Sequence, residues 1–316
     1  MKTETVYMNK TSKIYVSGHI GMLGNAMMRK LRNDGYTNIV TRTHSELDLT
    51  RQSDVEIFFE KERPEYVFHI AAKTGGVMLN KQYPLDYLSE GTLIALNVLN
   101  AAYRYGASGV VYVSSANIYP EDAPQPITED QFMNGRLPFF LGGYALAKTV
   151  GVKFCECAAR QSERRFISAV LPAVYGKEDH GTTVIPMLLD KFAEAVIKDN
   201  PDVTVWGTGN VRREFIFSED VADALIFLME HGENGQHYNV GSGEEHTIKE
   251  LAETIKEISG FDGELIFDTS KPESAGRQFL NSEKLNQLGW NPKTVFRDGI
   301  KTVYSEHLAW AKEESK

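Results

Sequence analysis

Short apolar runs alternate with longer amphipathic stretches through the first half of the chain. Each run ends at glycine or at polar residues, a pattern typical of strands buried on both faces of a parallel sheet. Strands that alternate with helices predict an α/β fold whose doubly wound parallel sheet has right-handed crossovers. The predicted strands cover residues 13–17, 38–41, 65–70, 109–113 and 166–170, and the predicted helices cover about 25–34, 54–63, 93–104 and 144–161.

The rhythm changes after about Gly176, where strands and helices follow one another less regularly. Thr247 and Glu250 predict a capping box, and Gly260 predicts the end of the helix that the box begins. We therefore expect a smaller C-terminal α/β substrate lobe. The predicted units are a flexible polar tail at 1–12, a larger domain at 13–176 and the second lobe at 177–316, with an interleaved boundary. The second lobe's predicted elements are helices at 186–198, at 218–231 and near Leu285 and Phe296, and a strand at 203–205.

A glycine-rich turn, Gly18-x-x-Gly21-x-x-Gly24, joins the first predicted strand to the first predicted helix. Glycines there permit a tight turn and let the backbone approach a pyrophosphate at the helix N-terminus. The turn predicts a dinucleotide site in a Rossmann-type domain. A plain glycine-rich loop is the alternative interpretation.

The residues after the second predicted strand bear on the choice of cofactor. A site specific for NAD usually has an acidic residue there for the ribose hydroxyls, whereas this chain has Arg42 and His44. Cationic side chains suit a 2′-phosphate, so we expect NADP(H) to be preferred. A solvated loop arginine is the alternative.

Tyr144 and Lys148 carry the candidate chemistry. Four residues apart on a helix, they share a face, and a nearby ammonium lowers the pKa of a phenol. A phenol tuned in this way can exchange a proton with a substrate oxygen. Ser115 ends the fourth predicted strand, at the sheet edge where parallel sheets bind ligands. A surface tyrosine beside a solvated lysine, and an ordinary serine turn, are the alternatives.

Composition restricts the classes of ligand. The chain has 316 residues, 42% of them hydrophobic, and a net charge of -9, so no basic surface is expected for nucleic acid or an anionic membrane. Cys155 and Cys157 lie two residues apart on a predicted helix and cannot readily pair, which fits a reducing cytoplasm. Neither has the spacing of a zinc site, so we expect no metal. No stretch approaches the ~20 apolar residues of a membrane span.

Taken together, these motifs resemble those of the extended short-chain dehydrogenases/reductases, and the resemblance covers essentially the whole chain. Within that family the chain is most similar to the GDP-L-fucose synthases, which epimerise and reduce GDP-4-keto-6-deoxymannose. The segments that carry this similarity are residues 18–22, 71–76, 205–209, 213–215 and 270–272.

The resemblance implies a role for each matching residue. Tyr144 would donate a proton, Lys148 would tune it and hold the nicotinamide ribose, and Ser115 would bond the substrate oxygen. The family commonly forms homodimers through the helix that bears Tyr144, and we expect the same here. The residues implied to contact NADP(H) are Gly18, Gly21, Met22, Leu23, Gly24, Arg42, His44, Asp48, Leu49, Ala71, Ala72, Lys73 and Lys148. Those implied to contact a GDP-linked keto sugar are Asn117, Val184, Leu188, Trp206, Arg213 and Lys271.

The chain departs from the fucose synthases at their epimerisation pair. Those enzymes have a cysteine and a histidine where this chain has Asn117 and Thr183, and neither replacement exchanges a proton near neutral pH. We therefore expect a cytoplasmic NADPH-dependent reductase that acts on the C4 ketone of a GDP-linked 4-keto-6-deoxy hexose or heptose without epimerisation. The pathway would be nucleotide-sugar biosynthesis for surface polysaccharide. The alternatives are a complete GDP-L-fucose synthase with His180 as a substitute base, and a non-catalytic dinucleotide-binding regulatory protein.

Overall fold

The computed structural model describes residues 8–179, 181, 183–271 and 277–314. Its strands in chain order are β1 (Ile14–Ser17), β2 (Ile39–Val40), β3 (Tyr66–His69), β4 (Gly109–Ser115), β5 (Arg165–Leu171), β6 (Ala173–Tyr175), β7 (Asp202–Trp206), β8 (Arg212–Phe217), β9 (His237–Asn239), β10 (Glu245–Thr247) and β11 (Glu264–Asp268). Its helices are α1 (Met22–Asn33), α2 (Gln52–Glu62), α3 (Val77–Gln82), α4 (Pro84–Arg104), α5 (Gly142–Gln161), α6 (Val184–Lys198), α7 (Ser218–His231), α8 (Ile248–Ser259), α9 (Glu283–Leu288) and α10 (Phe296–Glu314).

A six-stranded sheet with the order β2-β1-β3-β4-β5-β9 forms the larger unit, and every neighbouring pair in it is parallel. This arrangement confirms the predicted doubly wound parallel sheet. Strand β9 comes from the second half of the chain and pairs with β5, and helix α7 packs against α1. The large sheet therefore contains strands from both halves of the chain.

Alternate residues of the central strands face two separate cores. Val16 and Phe68 belong to the core that includes buried residues of α1 and α7, while Tyr15 and Val67 belong to the core that includes residues of α2, α4 and α5. A strand with both faces covered by helices reads as a continuous apolar run, which is why these strands were recognisable in the sequence.

The second lobe has its own core beneath two small sheets. Strand β8 pairs with β6 in parallel and with β10 antiparallel, and β7 pairs with β11 in parallel. Phe192 and Ile255 are fully buried there. The predicted capping box is present, with the Thr247 side chain accepting from the Glu250 N–H, and Gly260 ends α8 with φ of 69°.

Two boundaries differ from the sequence-based prediction. Within the stretch expected to be a loose tail, Met8 is buried in the core and the Ser12 hydroxyl bonds Glu65 at 3.0 Å. Helix α4 begins at Pro84, not near residue 93. Gly91 reads as a weak point in a helix, but a Cβ there would lie 3.0 Å from the Ala147 side chain, so glycine permits close packing of α4 on α5.

Among the described helices, none is long and apolar enough to cross a membrane.

Candidate active site

The predicted catalytic pair and part of the predicted cofactor set line one cavity at the carboxyl end of the large sheet. Tyr144 and Lys148 lie on α5, whereas the 71–73 segment follows β3. The lining residues are Ala71, Ala72, Lys73, Gly91, Ala95, Tyr112, Tyr144, Ala147 and Lys148. The topology thus brings together residues that lie far apart in the sequence.

Lys148 is held against the end of β4. Its side chain is buried, and Nζ donates a hydrogen bond of 2.7 Å to the carbonyl of Val113. The same nitrogen lies 6.0 Å from the centroid of the Tyr144 ring. Burial disfavours the ammonium and lowers the pKa of Lys148 from 10.5 to about 7. The amine therefore titrates near neutral pH.

Tyr144 does not show the lowered pKa that the sequence suggested. Burial raises its pKa above 10.0, a side-chain hydrogen bond with Ser115 opposes that rise, and nearby Tyr87 adds to it. Lys148 is not among the groups that shift the pKa of Tyr144. A raised pKa keeps the proton on the phenol at neutral pH, which is the form that can donate it.

Ser115 lies where β4 ends and a 3-10 turn over Ala116–Ile118 begins. Its Oγ accepts from the backbone N of Asn117 at 3.4 Å and from Asn117 Nδ2 at 3.1 Å. Gln278 Nε2 in turn donates to Asn117 Oδ1 at 3.4 Å. Asn117 is thus placed beside Ser115, and Gln278, which the sequence analysis did not single out, joins the same group.

The glycine turn leaves no room for a side chain at Gly18 or Gly24. Gly18 has φ of 78°, and a Cβ there would lie 2.8 Å from the backbone N of Ala71. A Cβ on Gly24 would lie 1.9 Å from the carbonyl oxygen of Gly18. Helix α1 begins just after Gly21 and has no acidic residue in its first turn, so its N-terminus suits a pyrophosphate. Met22 is half-buried beside this turn, whereas the Leu23 side chain is buried in the core.

The loop after β2 contains the predicted 2′-phosphate residues. Arg42 bonds the Glu62 carboxylate at 2.8 Å and the Thr41 carbonyl at 2.7 Å, and His44 is exposed. A guanidinium has five N–H donors, so two bonds leave others for a ligand. Further along the loop, Asp48 accepts from Thr50, which lowers the Asp48 pKa, and the Leu49 carbonyl accepts from Asn97 at 2.9 Å.

Trp206 lies at the end of β7 with 43% of its surface exposed, so it is not a core residue. Lys191 Nζ and Lys271 Nζ lie 5.5 and 5.9 Å from its ring centroid. The sequence analysis did not identify Lys191, although it lies three residues after Leu188 on α6 and therefore on the same face of that helix. The exposed indole can stack on a base, and the two neighbouring amines can bind phosphate oxygens.

The other predicted substrate residues differ in their exposure. Leu188 is buried in the second lobe's core, and Val184 is half-buried at the start of α6. Arg213 is half-buried and its neighbour Arg212 is exposed, so Arg213 is the more enclosed of the two. Thr183 is the exposed N-cap of α6. His180 lies outside the described residues.

Comparison with known proteins places these features in context. Residues 14–241 match the family described as the NAD dependent epimerase/dehydratase family. GDP-L-fucose synthase 1 of Arabidopsis thaliana is 42% identical over 304 residues, covering 95% of this chain and 94% of that protein. A GDP-6-OMe-4-keto-L-xylo-heptose reductase from C. jejuni has a TM-score of 0.89 at 34% identity, covering 97% of this chain and 99% of the other. A GDP-mannoheptose C4 reductase from Campylobacter jejuni with NADP bound has a TM-score of 0.87 at 34% identity, covering 97% and 100%.

Proposed function

Because the chain belongs to the NAD dependent epimerase/dehydratase family, we propose that it reduces the C4 ketone of a GDP-linked 4-keto-6-deoxy sugar, a hexose or a heptose, with NADPH. The reaction would serve nucleotide-sugar biosynthesis for surface polysaccharide. The observation that carries the proposal is the convergence of Ser115, Tyr144 and Lys148 at the end of β4. The names of similar proteins, GDP-L-fucose synthase and GDP-heptose C4 reductase, support the substrate class.

The chain's own residues supply proton transfer and charge stabilisation. Bound NADPH would supply the hydride that reduces the carbonyl carbon. Tyr144, protonated at neutral pH, gives its proton to the ketone oxygen as negative charge develops there. Ser115 donates a hydrogen bond to the same oxygen. Lys148, fixed by Val113 at 2.7 Å, faces the phenolate that remains and stabilises it when protonated.

The remaining assignments fall into a group of residues for the cofactor and a group for the nucleotide of the substrate. The glycine turn and α1 would hold the pyrophosphate, Arg42 and His44 the 2′-phosphate, Asp48 and Leu49 the adenine side, and 71–73 the nicotinamide side. Trp206, Arg213 and Lys271 would hold GDP, with Val184 and Leu188 shaping the wall. A crystal structure with NADPH and GDP tests these assignments, and GDP bound away from Trp206 would contradict them.

The finer part of the proposal is reduction without epimerisation. Inverting a carbon beside a ketone needs groups that remove and return a proton near neutral pH. Asn117 has no such proton, and Thr183 is far too weak an acid. These two residues favour a reductase over a complete GDP-L-fucose synthase.

The test runs the reaction in heavy water with a GDP-4-keto-6-deoxymannose-type substrate and examines the sugar by mass spectrometry and NMR. We expect NADPH oxidation with no deuterium introduced at C3 or C5. Enzyme-dependent deuterium there, with inverted configuration, would contradict reduction alone. Loss of that deuterium in His180→Asn would identify His180 as a substitute base, and Tyr144→Phe serves as the inactive control.

We also propose that the partner is a second copy of this chain, in the cytoplasm. Helices α4 and α5 pack on each other and leave Leu93 and Leu146 45% and 44% exposed. A helix pair with such outward apolar residues fits an isologous contact. Sedimentation equilibrium should give a dimer that Leu146→Lys weakens, and a monomeric wild-type chain would contradict the proposal.

A further inference from the structure

Asn117 lies between Ser115 and Gln278, whose backbone bridges to Arg213 on β8. Its Nδ2 donates to Ser115 Oγ at 3.1 Å, and its Oδ1 accepts from Gln278 Nε2 at 3.4 Å. The two ends of one amide thus face a catalytic hydroxyl and a side chain from the other lobe. Ser115 accepts from the amide nitrogen and Gln278 donates to the amide oxygen, so these two hydrogen bonds fix the orientation of the Asn117 amide.

This arrangement limits what the Ser115 hydroxyl can do. A serine hydroxyl has one hydrogen to donate and two lone pairs that accept. The Asn117 amide and its backbone N–H both point at the accepting side. The hydrogen is therefore left to donate, toward Tyr144 or a substrate oxygen. A developing alkoxide is stabilised by donors that already point at it.

Gln278 is itself held in place by its neighbours. Its backbone forms a bridge with Arg213, and two residues later the N–H of Leu280 donates to the buried Glu214 carboxylate at 2.9 Å. The segment is therefore anchored on β8 of the second lobe. Gln278 can fix the Asn117 amide because its own backbone is fixed.

We propose that Asn117 is a positioning residue for the reduction, which holds the Ser115 hydroxyl as a donor to the reacting oxygen while Gln278 fixes the orientation of the Asn117 amide. The inference rests on the proposed ketone reduction. It assigns Asn117 a role in the reduction itself, in addition to the absence of an epimerisation acid or base at this position.

The sharpest test is Asn117→Asp, which keeps the shape and reverses the polarity. An ionised carboxylate accepts and cannot donate, so it draws the Ser115 hydrogen away from the substrate. We expect kcat to fall by roughly tenfold or more, less than loss of a direct alkoxide donor, with KM and NADPH affinity little changed. Activity should recover as the pH is lowered, because a protonated carboxyl can donate again. Asn117→Leu should lose activity without that recovery.

Two controls separate positioning from general damage. Asn134→Asp adds the same charge at an exposed residue and should leave kcat unchanged. In a Ser115→Ala background, Asn117→Asp should cost nothing further, because its effect acts through Ser115. Equal, pH-independent losses in the Asp and Leu variants, or a full effect in the Ser115→Ala background, would overturn the inference.

A readout without turnover separates this inference from the proposed function. The ¹³Cζ resonance of Tyr144, assigned by its absence in Tyr144→Phe, reports hydrogen bonds at the phenol oxygen. It should shift in Asn117→Asp and stay constant in Asn134→Asp. An unmoved resonance defeats the positioning function even if the wild-type enzyme is active. A wild-type enzyme that oxidises no NADPH with GDP-linked keto sugars defeats the proposed function alone.

Discussion

Burial changes the charge of Lys148. It is 5% exposed, and its pKa falls from 10.5 to about 7. In the unfolded chain the same amine keeps its ordinary pKa. Between these two values the unfolded chain binds a proton that the folded protein does not. Folding is therefore penalised by this group below pH 7, and the penalty is relieved as the pH rises toward 10.5.

Replacing Lys148 with Met removes that linkage. We expect the free energy of unfolding of the wild type, relative to Lys148→Met, to increase between pH 7 and pH 9.5 by up to about 1.4 kcal/mol per pH unit. Denaturant unfolding of the ligand-free proteins at several pH values measures it. Lys301→Met, at an exposed residue, is the control. Parallel pH profiles for wild type and Lys148→Met would show that folding does not lower the pKa of the Lys148 amine.

Local spacing predicted some of these residues and not others. Tyr144 and Lys148 were found because helical geometry places residues four apart on one face. Gln278 and Lys191 were missed because tertiary packing sets their contacts: Gln278 meets Asn117 of the larger unit, and Lys191 on α6 meets Trp206 on β7. The direction of the Tyr144 pKa shift also depended on tertiary burial, which a four-residue spacing does not contain.

At the scale of elements, the turn between β1 and α1 depends on Gly24. A Cβ there would lie 1.9 Å from the Gly18 carbonyl oxygen, a backbone atom that cannot move aside cheaply. We expect Gly24→Ala to unfold at lower temperature and to lose NADPH binding, because the turn must open. Calorimetry and fluorescence titration with NADPH measure both effects.

Gly142 supplies the matched control for that substitution. It begins α5, and a Cβ there has nothing within 4 Å. Gly142→Ala should leave NADPH binding unchanged and can raise stability by up to about 1 kcal/mol, since alanine restricts the unfolded chain. Similar losses in Gly24→Ala and Gly142→Ala would mean that steric closure of the turn is not the cause.

The predictability of elements followed their burial. Strands β1, β3, β4 and β5 are buried along almost their whole length and appear as largely apolar runs. Strands β10 and β11 have no fully buried residue, so apolar and polar residues do not alternate clearly in their sequences. The first part of α4 was not predicted because glycine disfavours a helix. The close packing of Gly91 against Ala147 of α5 is seen only once the two helices are folded together.

At the scale of the whole molecule, one buried carboxylate ties three segments together. Glu214 on β8 is 1% exposed and accepts from the N–H of Gly243, in the loop after β9, at 3.0 Å and from that of Leu280 at 2.9 Å. Leu280 belongs to a core of the large sheet, so Glu214 links the two lobes. Burial raises its pKa from 4.5 to about 7 despite these bonds.

The last prediction concerns this link and its pH dependence. The folded protein holds a proton on Glu214 between pH 4.5 and 7 that the unfolded chain releases, so this group's contribution to stability falls as the pH rises through that window. Glu214→Gln cannot ionise. The free energy of unfolding of the wild type, relative to Glu214→Gln, should therefore decrease from pH 4.5 to 7, by up to about 1.4 kcal/mol per pH unit. Glu60→Gln, at an exposed residue, should show no such slope. Hydrogen exchange adds a second measurement: the amides of Gly243 and Leu280 donate to Oε1 and Oε2 of Glu214, so they should lose protection together in Glu214→Ala, which removes both oxygens. Independent changes at the two amides would mean that the lobes are held together elsewhere.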